Sequence, residues 1–290
     1  MSERKQQEKK KTKTAGKNRH IRVLLFVASV FLTASAAACA KTDAEPTNVP
    51  TEAVTPEPTN APTEAVTPKP AIVDVSEAEA GDTVLFGTYE QDNDQSNGAE
   101  AIEWIVLDKQ DGKLLLLSKY ALDCKSYNEE ETEVTWETCT LREWLNGTFY
   151  DTAFSQAEQD CIATTQVKNE DNPIYKTEGG NDTEDKVFLL SIKEAIQYFN
   201  SDPGAWDFAR CVKVTEYAKA QGAMVYNEEE FKVAGNPEYN GSGWWWLRSP
   251  GMNSGKAANI YLLGSVNREG LIVFDTVSVV RPAFWLSLEP

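Results

Sequence analysis

Residues 72–290 predict an α+β fold: a mixed, largely antiparallel sheet with flanking helices. Three observations carry this. Apolar residues alternate in two early segments, three later segments each open with a helix-capping pair, and strand-like patterning returns after about residue 243. Strands, then helices, then strands again is the order of an α+β chain.

"DTVLFGTYEQ" (82–91) reads as the first strand. "AIEWIVLDKQDGKLLLLSKY" (101–120) reads as a hairpin, with Ile102, Trp104 and Val106 alternating before the turn Asp111-Gly112 and a leucine run returning. "TLREWLNG" (140–147) has Thr140 and Glu143 in capping-box spacing, Leu141, Trp144 and Leu145 on one face, and Asn146-Gly147 to end it. The same device opens 155–162 with Ser155 and Glu158, and 191–199 with Ser191 and Glu194 after an apolar strand at 187–190. A shorter helix over 215–221 stops at Gly222. The remaining expected strands are 243–249, 259–266, 271–277 and 279–288, with "NREG" (267–270) as a hairpin turn.

Ahead of this domain lie two segments that build no core. Residues 1–22 carry nine Lys/Arg against two Glu, and the apolar run Val23 to Ala38 is shorter than the roughly 20 residues a membrane span needs, which together read as a secretory signal, 1–38. Its end, "SAAAC", resembles a bacterial lipobox, with Ala36 where that motif usually has Leu. The reading predicts lipidation of Cys39 and a chain held by lipid on the outer face of the cytoplasmic membrane; the alternative is an ordinary signal cleaved at an Ala-rich site. Within residues 39–71, "PTNVPTEAVTPE" is followed by "PTNAPTEAVTPK". Proline at this density favours extended geometry, so the segment reads as a stalk that reaches on the order of 100 Å.

Removing residues 1–38 takes nine of the 28 basic and two of the 45 acidic residues, leaving 19 against 43 and a formal charge of −24. That surface repels phosphate backbones and excludes nucleic acid as a partner. The single histidine, His20, leaves with the signal. Ser-His-Asp and Cys-His pairs and histidine metal sites are therefore excluded, and any catalysis would run on carboxylates, thiols, Lys or Tyr.

"LFGTYEQ", "IEWIVLD", "WETCTLREWLN", "DKVFLLSIKEA", "WWLRSPG" and "VRPAFWL" together resemble the uncharacterised bacterial domain DUF6273, over about 82 to 288. The resemblance implies a C-type lectin-like fold of the kind found in formylglycine-generating enzymes and bacterial variable surface receptors. It also implies a first and last strand paired near each other, two helices flanking a sheet and a long loop-rich segment. It brings no activity, and the cysteine motif by which formylglycine-generating enzymes bind copper has no match here.

Candidate sites each have a structural and a functional reading. In "GSGWWWLRSPG" (241–251), alternation puts Trp244 and Trp246 on one face as core and Trp245 on the other with Leu247, either covered or presenting a sugar-stacking surface. Arg248 and Arg281 either grip a carboxylated or hydroxylated ligand or form buried ion pairs. The acidic run 169–186 includes Asp171, Asn181, Asp182 and Asp185, hard oxygen donors for Ca²⁺ or a solvated loop. Cys124 and Cys139 are the preferred disulfide among four exported cysteines, against a reactive thiolate at Cys139 before a helix start.

The function expected is a non-catalytic cell-surface lipoprotein whose domain binds a glycan or a surface protein. The alternative is an exported enzyme using thiol or carboxylate chemistry.

Overall fold

The computed structural model describes residues 72–199, 201–226, 235 and 237–289. The signal 1–38, Cys39 and the stalk 39–71 lie outside the described residues, all of which belong to one compact unit, Ala65–Pro290.

The chain opens with β1 (Thr83–Tyr89), β2 (Glu100–Gln110), β3 (Lys113–Ser118) and β4 (Asp123–Cys124). The β2–β3 hairpin turns on Asp111 and Gly112, both at positive φ (49° and 68°), as a two-residue turn of right-handed twist requires. Next come α1 (Thr140–Trp144), a π-helical turn Leu145–Phe149, α2 (Tyr150–Ala153) and α3 (Gln156–Cys161). The short ribbon β5 (Thr165–Val167) and β6 (Thr183–Asp185) brackets the acidic loop, and α4 (Ile192–Gln197), β7 (Val212–Lys213) and α5 (Glu216–Ala220) follow. The chain closes with β8 (Ser242–Gly243), β9 (Trp245–Pro250), β10 (Lys256–Ile260), β11 (Val266–Ile272), β12 (Val279–Val280) and β13 (Ala283–Ser287).

Two sheets organise these strands. One has the order β1-β2-β3-β13 and is antiparallel throughout. The other has the order β11-β10-β9-β12-β4, with β9 and β12 its one parallel pair. The domain is thus mixed α/β with mostly antiparallel sheets. The first and last strands are not neighbours: β1 and β13 form opposite edges of one sheet, because the β2–β3 hairpin fills the space between them. The apolar faces meet in a core rich in aromatic rings, where Trp104 stands edge-on to Phe284 at 4.7 Å and Phe154 packs 5.3 Å from Phe284.

Capping boxes form at Ser155 and Ser191, and the Thr215 hydroxyl accepts from the N–H of Ala218 to cap α5. Elsewhere tertiary contacts override the local signals. The first helix does not stop at Asn146-Gly147: Asn146 turns sideways, its Oδ1 accepting from the N–H groups of Lys186 and Val187, and the chain continues through the π turn to bury Phe149 and Ala153. Residues 187–190 form no strand, only a bridge between Phe188 and Ala283, since the carbonyls of Leu189 and Leu190 are taken by Arg248. The expected turn "NREG" lies inside β11, and the reversal falls at 261–265, where Leu263 adopts φ 58°. The expected strand 279–288 is divided between the two sheets at Arg281-Pro282.

Candidate functional site

That division creates the site. Pro282 has no N–H and holds the residue before it extended, so Val280 ends one sheet, Ala283 begins the other, and Arg281 projects where they part. Its side chain is 1% exposed. Nε donates to the Ser118 carbonyl at 2.9 Å and Nη1 donates weakly to that of Arg210 at 3.5 Å. The guanidinium lies 5.0 Å from the Trp245 ring centroid and 6.0 Å from that of Phe199. Among the described residues no carboxylate pairs with it. Burial pulls its pKa down to about 9, with Cys211 opposing the shift, so Arg281 is a cation at neutral pH.

Arg281 lies at a cleft of about 620 Å³, within the roughly 300–1,000 Å³ typical of small-ligand sites. Its walls come from separate elements: Ile105 to Leu107 of β2, Tyr120 after β3, Tyr198 and Phe199 after α4, Cys211 and Lys213 around β7, and Tyr239 of the 3₁₀ turn Pro237–Tyr239. Tyr239 stacks on Phe208 at 5.3 Å, and the Tyr198 hydroxyl donates to Asp108 at 3.3 Å. Lys119 is neutralised by Glu103 at 2.5 Å, whereas exposed Lys213 has no carboxylate partner among the described residues. Burial, with the charge of Asp108 adding to it, holds the Tyr198 hydroxyl up at about 12; burial holds the Cys211 thiol at about 12 too, and the opposing charge of Arg281 does not bring it down. Both groups stay protonated at neutral pH, donors of hydrogen bonds rather than nucleophiles.

The sequence-derived candidates separate sharply. Arg248, 4% exposed, ion-pairs with Glu194 and donates to the carbonyls of Leu189 and Lys168, a structural clamp between α4 and β9. Trp245 is fully buried, its Nε1 donating to the Arg210 carbonyl at 2.9 Å, so its ring lies beneath Arg281 and offers no surface for stacking. Trp246 is equally buried, while half-buried Trp244 packs against Tyr261 with ring centroids 4.4 Å apart and the rings tilted by 32°. A third buried arginine, Arg210, carries no periodic signal in an irregular segment; it donates to the carbonyls of Ala195 and Gly264 and lies 3.6 Å from Asp207.

The four residues proposed for Ca²⁺ do not converge, because each is committed elsewhere. Asp171 accepts from the Gly179 N–H, Asn181 donates to Glu137, Asp182 pairs with Lys168, and buried Asp185 binds Arg142 at 2.6 Å and the Trp136 indole at 2.8 Å. The loop between them is anchored by Asn172, wholly buried and donating to the carbonyls of Pro250 and Arg268. Among the described residues the acids that do approach one another are Glu90, Asp92 and Glu100, within 4.8 Å. Cys124 and Cys139 form no disulfide. Their thiols reach separate carbonyls, those of Thr276 and Trp136, and burial raises both to about 12, the opposite of a reactive thiolate at Cys139.

Fold and cleft define a mixed α/β domain that presents one buried cation among aromatic walls. The chain belongs to the family described as a domain of unknown function (DUF6273), whose model matches residues 111–288. The match begins inside the β2–β3 turn, later than residue 82 where the sequence motifs start. No curated protein and no solved structure matches the chain. No helix among the described residues is long and apolar enough to cross a membrane.

Proposed function

We propose that this chain is an exported lipoprotein, anchored through Cys39 and displayed on its Pro/Thr-rich stalk, whose lectin-like domain binds a glycan without chemistry. One observation supports the binding role above all. The cleft of about 620 Å³ combines aromatic faces, polar tips and a buried cation, the composition of a small-ligand site. Its thiol, Cys211, is held protonated by burial, which weighs against the alternative of a thiol enzyme. The tandem proline repeat and the run ending at Cys39 support display at the cell surface.

Two experiments test the two halves. The full chain in detergent, screened against glycan arrays and cell-wall fractions, is expected to retain a defined carbohydrate that Tyr239→Ala loses. Retention that is indifferent to Tyr239→Ala, or no retention at all, removes the cleft as the binding site. Cys39→Ala is expected to move the protein from membranes to the medium, and unchanged membrane retention overturns the anchor.

A further inference from the structure

We propose that the ligand of this cleft carries a single carboxylate on a ring, and that Arg281 is the receptor for that carboxylate. The inference rests on the cleft being a binding site and specifies what it binds.

The guanidinium is prepared for an anion. It has five N–H donors, of which Nε–H is used by Ser118 and one Nη1–H weakly by Arg210. No described residue accepts from Nη2, so the Nη1–Nη2 end remains for an acceptor. A planar carboxylate takes two parallel N–H bonds from such an end. The plane is already held: Trp245 and Phe199 both flank the guanidinium, at 5.0 and 6.0 Å. A buried cation without a counter-charge is unfavourable, and an arriving carboxylate offsets that penalty.

Local charge sets the number of negative groups. Among the residues lining the cleft, Lys119 is cancelled by Glu103, which leaves Arg281 and Lys213 against Glu238, an excess of one positive charge on the walls, with Asp108 set behind the Tyr198 hydroxyl that it accepts from. One carboxylate balances this, whereas a phosphate dianion overshoots it and faces an acid-rich surface. The ring requirement comes from the walls, to which Phe199, Tyr198 and Tyr239 contribute aromatic rings, apolar surface of the kind that takes a sugar or an aromatic ring.

The test titrates the full chain in detergent with D-glucuronate, benzoate, acetate and D-glucose. Glucuronate or benzoate is expected to bind at least about tenfold tighter than either glucose or acetate, and whichever of the two is tighter assigns the ring to a sugar or to an aromatic acid. Glucose equal to glucuronate, acetate equal to the ring acids, or no binding of either ring acid overturns the inference. If Tyr239→Ala abolishes retention of a neutral glycan while the ring acids do not bind, the cleft stands and the carboxylate falls. Arg281→Met is expected to erase the preference for acid over neutral sugar, and a folded variant that keeps it refutes the assignment. Should that variant not fold, exposed Lys213→Ala decides: ring-acid affinity is expected to fall severalfold at an unchanged melting temperature, and undiminished affinity counts against the charge argument.

Discussion

The Trp245 indole and the Arg281 guanidinium share one acceptor. Nε1 of Trp245 donates to the Arg210 carbonyl at 2.9 Å, Nη1 of Arg281 approaches the same oxygen at 3.5 Å, and the guanidinium stands 5.0 Å from the ring. A tryptophan that alternation left open as a sugar platform is instead the floor on which a buried cation rests. The position of that cation then separates the two arginines that the sequence had treated alike.

The two arginines are expected to respond differently to removal. Arg248→Ala orphans the part-buried carboxylate of Glu194 and is expected to cost about 3–5 kcal/mol. Arg281→Met orphans no acid, so its cost is confined to the carbonyls it leaves, about 1–3 kcal/mol at most. Denaturant unfolding of both variants checks the order, and a larger loss for Arg281→Met would make Arg281 the structural residue.

Acid should weaken the domain through Glu194. Burial by itself raises this carboxyl, but the charge and hydrogen bond of Arg248, with hydrogen bonds from Ser191, outweigh burial and leave it below its ordinary value of 4.5. With a folded pKa below the unfolded one, its stabilisation is complete above about pH 4.5 and is lost as pH falls through the folded value. Glu194→Gln is therefore expected to be less stable at pH 7 and to show a shallower loss of stability from pH 5 to 3. Parallel slopes for the variant and the parent protein would refute the assignment.

Trp246 is a core residue, its ring 5.7 Å from Tyr127 and its Nε1 donating to the Lys125 carbonyl at 2.9 Å. Trp246→Ala should cost about 3–5 kcal/mol as a large-to-small change. A soluble variant that melts at the parental temperature would place the ring at the surface.

Gly87 sits in the irregularity of β1 at φ +68°, its N–H donating to Glu158 at 3.0 Å. A Cβ there would meet the Ala153 carbonyl oxygen at 2.6 Å, and that backbone atom cannot swing aside. Gly87→Ala is expected to destabilise by more than the roughly 1 kcal/mol of a simple left-handed penalty. Thermal melting beside Gly112→Ala, whose added Cβ meets nothing within 4 Å, separates collision from conformational strain.

The buried thiols of Cys124 and Cys139 should be slow to react in the native protein. With Cys124 and Cys139 held up at about 12, neither is expected to be modified by a disulfide reagent at pH 8 until the protein is unfolded, when both should react. Rapid native labelling of either would contradict the burial.

Sequence alone determined what depends on neighbours along the chain. The Asp111-Gly112 turn and the capping boxes at Ser155 and Ser191 are set by spacings of two to four residues, and each appears in the structure, whereas the alternation that put Trp244 and Trp246 together in the core holds for Trp246 only, since Trp244 is half-buried and both faces of β9 are buried. The absence of histidine after His20 and the acidic balance are likewise complete in the sequence. Tertiary structure decided what depends on partners far away. Asn146 reads as a helix stop but is recruited by residues 186–187, and 279–288 reads as one strand but serves two sheets. Arg248 and Arg281 both precede a turn or proline on an apolar strand, and no local pattern tells them apart. Glu194, 54 positions from Arg248, neutralises one, while no acid folds back onto the other, which is left against Trp245 at the cleft. Periodicity reports which face of an element is apolar; whether a buried charge finds its counter-charge depends on which distant segments the packing brings beside it.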